Sequence, residues 1–272
     1  MTYKLLFSFL AVFLTTFICT KPKAYKEVYT DLPKVDSTAY TQCVVRYKNS
    51  LYDNNLLLEF KVNVVYIKPL GIDAIFSDNY QKDSLIEVTL NKGFEEQGIL
   101  FSVDKSEVSY SGYSINEFSD HFEEYLEKDY ITVLVYDDAS GARFNGVAAG
   151  IPHTICGVVE SRISSSTIVH EVGHLLGLKH IFEKDDTDGK NAVTGDAICD
   201  TGSFNLMDNR TSECGYVGPA KYSEKDLEII IPNYLNYNYE TIDCRDKFTP
   251  VQTLSMRWHI ENFPTLSSAL YY

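Results

Sequence analysis

The segment His170–His180 reads HEVGHLLGLKH and gathers three imidazoles, one carboxylate and two glycines into a single short stretch. His170 and His174 are four residues apart, so on a helix both rings leave the same face, one turn above the other. Such a pair can grip one metal ion. Glu171 follows the first histidine, and on that helix its carboxyl hangs beside the metal rather than on it, where a general base is needed. Gly177 can take the left-handed conformation that ends a helix, and the turned chain then brings His180 back to the same ion. Three neutral imidazoles with one coordination position open describe a catalytic zinc rather than a structural one. A lone histidine is commonly a surface or satisfied core residue, and HExxH occurs in unrelated helices. Five fixed positions set this segment apart.

These groups need a buried helix and a sheet to hold it. Ile168, Val169, Val172, Leu175 and Leu176 supply the apolar face, and Ser164, Ser165 and Ser166 are candidate N-caps. Upstream, LLLEFKVNVVYI (Leu56–Ile67) alternates and is rich in β-branched and aromatic residues, which reads as a central strand. Ser84–Gln97 is expected to be helical, with apolar Leu85, Ile86, Val88, Leu90 and Phe94, although Val88 and Thr89 favour strand. Ile99–Val108 reads as a second strand, Ser114–Glu127 as a short amphipathic helix, Tyr130–Tyr136 as a third strand and Ile155–Glu160 as the last strand before the site. Between them, Ala142–Gly150 is small-residue rich and reads either as an extended edge or as a Gly-rich surface loop. Alternating strands and helices give an α/β half with the histidine helix as its floor. Thr249–Asn262 reads as a closing helix, with Pro250 in its first turn and Pro264 past its end. His121, His153 and His259 have no partner motif and read as structural or exposed.

HExxHxxGxxH resembles the signature of the metzincin zinc peptidases. Astacins follow the third histidine with Glu, matrixins usually with Ser and adamalysins usually with Asp; here Ile181 stands there. The continuation His180-Ile181-Phe182, Gly195-Asp196-Ala197-Ile198-Cys199-Asp200-Thr201, Cys244-Arg245-Asp246-Lys247-Phe248-Thr249-Pro250-Val251-Gln252 and Met256-Arg257 is similar to the pappalysin family. The resemblance covers about Ile131 to Asn262. It implies a metzincin-like zincin domain of α/β (α+β) class, in which a twisted mixed sheet overlies an active-site helix and an irregular C-terminal subdomain. Zinc would be held by His170, His174 and His180, with Glu171 as base.

The family's Met-turn is matched by Asn233-Tyr234-Leu235-Asn236-Tyr237, where Leu235 replaces Met as an apolar floor that does not touch the metal. Asn205-Leu206-Met207-Asp208-Asn209 is the rival, having the Met but lacking the Tyr. With the first choice, the resemblance places Tyr237 near the zinc, able to donate to a developing oxyanion. It also suggests a Cys214–Cys244 disulfide, and it adds weight to calcium binding by the acidic loop Glu183–Asp200. That spacing is not an EF-hand, so a solvated acidic loop is the equal alternative. Along the Gly-rich edge the resemblance implies that an extended substrate adds its backbone to the sheet.

At 272 residues, with 24 basic and 38 acidic residues and a net charge of −14, the chain suits one catalytic domain and argues against a nucleic-acid partner. Met1–Cys19, with Lys4 before an apolar run, reads as an export signal. Cys19 leaves two outcomes open, simple secretion or lipid anchoring at that cysteine. Residues 20–40 read as a tether or pro-segment, and 41–272 as the domain, expected to be monomeric. The membrane enters only through that anchor. Six cysteines agree with an oxidising compartment, and removing Cys19 leaves an odd number. Cys199 has Cys156 or Cys43 as candidate partners, and Cys43 is also a candidate latency thiol for the zinc. The function expected is hydrolysis of protein or peptide substrates by a zinc-activated water. The competing class is an inactive zinc-containing adhesion or binding module.

Overall fold

The computed structural model describes residues 56–70, 79–137, 142–182, 196, 198–201, 211–212, 214–218, 222–237 and 244–271. The expected export signal with Cys19, the tether, Cys43, Met207 and most of the acidic loop lie outside them.

The chain enters through β1 (Leu58–Ile67), whose side chains alternate: Val62, Val64 and Tyr66 turn to one face of the sheet, Val65 and Ile67 to the other. α1 (Asn79–Phe94) crosses to β2 (Ile99–Ser109), which pairs in parallel with β1. The helix begins five residues before Ser84, and its buried stripe is Ile86, Leu90 and Phe94, one every four residues. Leu85 and Val88, expected on that stripe, are instead 41% and 63% exposed. Thr89 sits among them and sends its hydroxyl to the Leu85 carbonyl at 2.7 Å. Here tertiary burial of one stripe outweighs the local β preference.

The helix expected over Ser114–Glu127 is broken into 3-10 turns at Ile115–Glu117 and Phe122–Tyr125 around one α turn, Phe118–His121. Runs this short do not propagate on their own hydrogen bonds. They are pinned instead by Ile115 and Phe118, which bury with Val65, Leu134 and Tyr136 under the far face of the sheet. β3 (Ile131–Tyr136), β4 (Gly146–Ala148) and β5 (Ile155–Val159) follow, and the sheet order is β2-β1-β3-β5-β4. Every pairing is parallel except that of β4, which runs antiparallel along β5 as the edge. The Gly-rich stretch is therefore an edge strand, not a loop.

α2 (Ser166–Leu175) packs Ile168, Val169, Val172 and Leu175 into the same cluster as β1 and α1. Ser165 caps it, its hydroxyl accepting from the Thr167 amide at 3.2 Å. Beyond it lie a two-residue hairpin, β6 (Thr211–Ser212) and β7 (Gly215–Tyr216), then α3 (Glu224–Ile230), α4 (Pro250–Asn262) and α5 (Pro264–Ser268). A disulfide joins Cys214 to Cys244. Cys199 is also disulfide-bonded, while Cys156 is a buried free thiol, which removes Cys156 as its partner.

The C-terminus is sewn back onto the sheet. Leu270 bridges Phe60 on the part of β1 that precedes its pairing with β3. Arg257 of α4 is 1% exposed and donates to the carbonyls of Leu56, Gln97 and Gly98. Among the described residues no helix is long and apolar enough to cross a membrane.

Candidate active site

α2 ends one residue after His174, in a way its sequence dictates. The Gly177 amide donates to the His174 carbonyl at 2.9 Å and the Leu178 amide to the Gly173 carbonyl at 3.0 Å, the paired bonds of a Schellman end. Gly177 takes φ +94°, and a β-carbon there would lie 2.3 Å from the His259 ring. Glycine is thus required twice at this position, for its backbone angle and for the ring of α4 that lies against it. The reversed chain delivers His180 beside the two helical histidines.

The three Nε2 atoms form a near-equilateral triangle: 3.1 Å between His170 and His174, 3.2 Å between His170 and His180, and 3.1 Å between His174 and His180. His170 donates its Nδ1 proton to the Tyr234 carbonyl and His174 to the Leu178 carbonyl, each at 2.6 Å. A ring that donates from Nδ1 carries its lone pair on Nε2, so these bonds choose the metal-binding tautomer. Burial, reinforced by His174 and His180, holds His170 well below the ordinary imidazole range, and burial brings His180 down to about 4. Neutral rings with converging lone pairs repel one another unless a cation lies between them. A tetrahedral ion with bonds of ~2.0–2.1 Å to nitrogen sets its ligands ~3.3 Å apart, so the triangle fits zinc.

Glu171 shares the helix but points to the β4 side, 7% exposed. A β-carbon on Gly146 would come within 2.7 Å of both its Cγ and its Oε1, so the edge strand closes directly over the carboxyl. Burial pushes this carboxyl up to about 8, opposed by the charge of Arg245.

The turn Asn233–Tyr237 forms the floor. Tyr234 supplies the carbonyl for His170, and Leu235 is fully buried, its Cδ2 only 3.1 Å from where a β-carbon on Gly173 would stand. The Tyr237 ring lies edge-on to His180, with centroids 4.7 Å apart, and 5.9 Å from His170. Asn233 exchanges two hydrogen bonds with Gln252, at 2.9 and 3.2 Å, and accepts from the Leu235 amide at 2.9 Å. Gln252 also accepts from the Thr249 amide at 2.9 Å, so one side chain links the α4 cap to the floor.

Asp200 reaches the same cap, accepting from the Thr249 hydroxyl at 2.6 Å and the Val251 amide at 3.0 Å. Asp196 accepts from the Ile198 amide and the Thr201 hydroxyl. These two carboxylates, counted in the sequence among potential calcium ligands, are engaged in holding loops together. The remaining acidic positions of that loop are outside the described residues.

A cleft of about 610 Å³ brings His170, Glu171, His174, His180 and Tyr237 to one wall-to-wall space with β4, Arg143 and Arg245. Sequence reasoning took Arg143 and Arg245 only as parts of longer motifs, and it gave Gly146 no role against Glu171. The one local signal for Arg245 is that it follows Cys244, whose disulfide anchors the segment.

Comparison with known proteins agrees with this geometry. Residues 157–261 match the peptidase family described as "Pregnancy-associated plasma protein-A". An extracellular metalloprotease of Arthroderma benhamiae is 32% identical over 94 residues, 34% of this chain and 29% of that protein. One from Arthroderma gypseum is 29% identical over 104 residues, 38% of this chain and 32% of that protein. The chain thus aligns with less than a third of the length of either relative. A promirolysin mutant from Tannerella forsythia shares the fold with a TM-score of 0.53 at 17% identity, over 83% of this chain and 89% of that one. The segment from β5 to α4 is thus similar to this peptidase family, and the fold shared with promirolysin extends on either side of it.

Proposed function

We propose that this protein is an exported zinc endopeptidase. The observation that carries the reading is that three converging Nε2 lone pairs, a buried carboxyl on the same helix and a sheet edge that is open among the described residues all border one cleft. His170, His174 and His180 would hold the ion. Zinc, when bound, supplies Lewis-acid polarisation of the scissile carbonyl and lowers the pKa of water to about 7.

The rest is done by the chain. An extended peptide adds to the outer edge of β4, which sets its carbonyl across the cleft from Glu171. Glu171 takes the proton of the attacking water and returns it to the leaving nitrogen, with no acyl-enzyme formed. Beside a bound cation Glu171 would stand as the carboxylate that burial alone disfavours. The Tyr237 hydroxyl donates to the developing oxyanion. Export agrees with the disulfides and with the relatives' description as extracellular. In this reading Met1–Cys19 is the leader, Cys19 is either removed or lipid-anchored, Cys43 is a candidate latency thiol, and the domain acts as a monomer on protein or peptide substrates.

The test is digestion of a mixed protein library by the zinc-loaded chain, with a chelator and with Glu171→Gln as controls. Cleavage that chelation abolishes and the variant lowers by roughly 10²–10⁴ supports the proposal. A folded, zinc-loaded chain that cuts nothing, even after proteolytic trimming of residues up to about Cys43, makes it a binding module instead.

A further inference from the structure

His170 and His174 are oriented by backbone carbonyls, those of Tyr234 and Leu178, each accepting an Nδ1 proton at 2.6 Å. No side-chain substitution removes a carbonyl, so the rings are fixed by whatever holds the two turns that present these groups. Residues 233–237 form the first turn. Residues 177–180 form the second, which carries His180 itself as well as the Leu178 carbonyl and so governs two of the three rings. The Ile181 amide donates to the Leu235 carbonyl at 3.4 Å and joins one turn to the other.

Both turns are met by one helix. From α4, Gln252 exchanges two hydrogen bonds with Asn233, whose Oδ1 also accepts from the Leu235 amide. Two planar amides bonded reciprocally have one mutual orientation, and both of these side chains are fully buried. Seven residues further along α4, His259 packs its ring against Gly177, with Cγ, Nδ1 and Cδ2 all within 2.6 Å of where a β-carbon would stand. That ring is held in turn: its Nδ1 donates to the Ser255 carbonyl at 2.8 Å, and its face stacks on Phe263. A separation of seven residues leaves positions 252 and 259 about 20° apart around the helix and about 10 Å apart along it. One face of α4 therefore reaches both turns.

We propose that α4 is a two-point template for the metal site, in which Gln252 positions His170 through the 233–237 turn and His259 positions His174 and His180 through the 177–180 turn. The proposal rests on the reading of the three histidines as zinc ligands, and not on peptide hydrolysis. Neither residue has to touch ion or substrate. Loss of the groups that orient metal-ligating imidazoles costs roughly ten- to hundredfold in metal affinity. A helix that only stabilised the fold would leave the affinity of the folded chain unchanged.

The test is zinc affinity of the folded, metal-free chain, measured by competition with a chelating indicator, beside the visible spectrum of the cobalt(II)-loaded chain, which reports ligand geometry. Expected are zinc binding weakened about tenfold or more and an altered cobalt spectrum for Gln252→Leu and for His259→Ala. His259→Phe, which restores a flat ring, should recover both, and Asn262→Ala, at the exposed end of the same helix, should change neither. If Gln252→Leu fails to fold, Gln252→Glu carries that arm, because it keeps the bonds accepted from Thr249 and Asn233 and loses only the Nε2 donor. Variants that melt earlier but keep the parent's zinc affinity and cobalt spectrum overturn the proposal, as does an equal loss in Asn262→Ala. A folded parent chain that takes up no zinc overturns the zinc reading and the proposal together. The expected pattern of losses in a chain that never hydrolyses a peptide supports the proposal and overturns the peptidase reading alone.

Discussion

His170 and His174 are carried by a capped helix buried under a parallel sheet, whereas the third ligand and the floor beneath all three are carried by turns. In the first region, position follows from repetition: the helical period stacks the rings, and the strand period sends Val62, Val64 and Tyr66 to meet Ile86, Leu90 and Phe94. In the second, the described helices are short or terminal. Shape there comes from side chains bonding to backbone: Asn233 to Leu235, Asn236 to the Ile230 carbonyl, Asp200 to Val251, and the Cys214–Cys244 link. Regular structure distributes its stability over many equivalent contacts, while a turn concentrates it on a few. Single substitutions are therefore expected to be more damaging in the lower region.

The sharpest test of that contrast is Leu235. Leu235→Ala would leave a cavity directly beneath Gly173, with an expected loss of about 2–5 kcal/mol, read as a lowered denaturation midpoint together with weakened zinc retention. Leu235→Met keeps the volume and is expected to cost under ~1.5 kcal/mol. A drop for the Met variant as large as for Ala would mean that this turn is not the apolar floor.

Gly177 lies at the junction of the two regions. Gly177→Ala forces both an unfavourable left-handed backbone, about 1–2 kcal/mol, and a collision with His259. Thermal melts of Gly177→Ala, His259→Ala and the double variant should show coupling, because removing the ring relieves the collision and leaves only the backbone term. Strict additivity would deny that the α4 ring sets the end of α2.

The smallest effect is expected in the upper region. Glu160, just past β5, receives Lys68 and Lys82, each at 2.7 Å. Desolvation raises its carboxyl, but the two lysines outweigh this and hold it below its ordinary value of 4.5. A lowered folded-state value means that the stabilisation is present above that ordinary value and disappears as pH falls through the depressed one. Glu160→Gln is therefore expected to cost up to about 1 kcal/mol at neutral pH, with the gap to the parent closing in acid. A gap that persists unchanged at low pH would mean that packing, not charge, is at work.

Much of the site was legible in one line of sequence because it is local. His170, Glu171, His174, Gly177 and His180 span eleven residues, and the helix period and the glycine-ended turn are short-range geometry. The strands at 58–67, 99–109, 131–136 and 155–159 were legible for the same reason, since alternation in the first and short β-branched apolar runs in the later ones are neighbour-to-neighbour signals. The turns at 115–125 were misread as one helix because their packing on β1 and β3, not their own periodicity, decides their form.

Spacing alone determined a three-histidine site with a neighbouring carboxylate. Tertiary structure alone decided that the edge strand would close over Glu171 at Gly146, that Gln252 would reach Asn233 in the floor, and that Asp200 would hold the cap of α4. Each of these joins residues 19 or more positions apart through a hydrogen bond or a steric limit, and no local period records such a contact. Residues within one helical turn are bound to meet, whereas distant ones meet only when burial of the whole core makes their approach favourable.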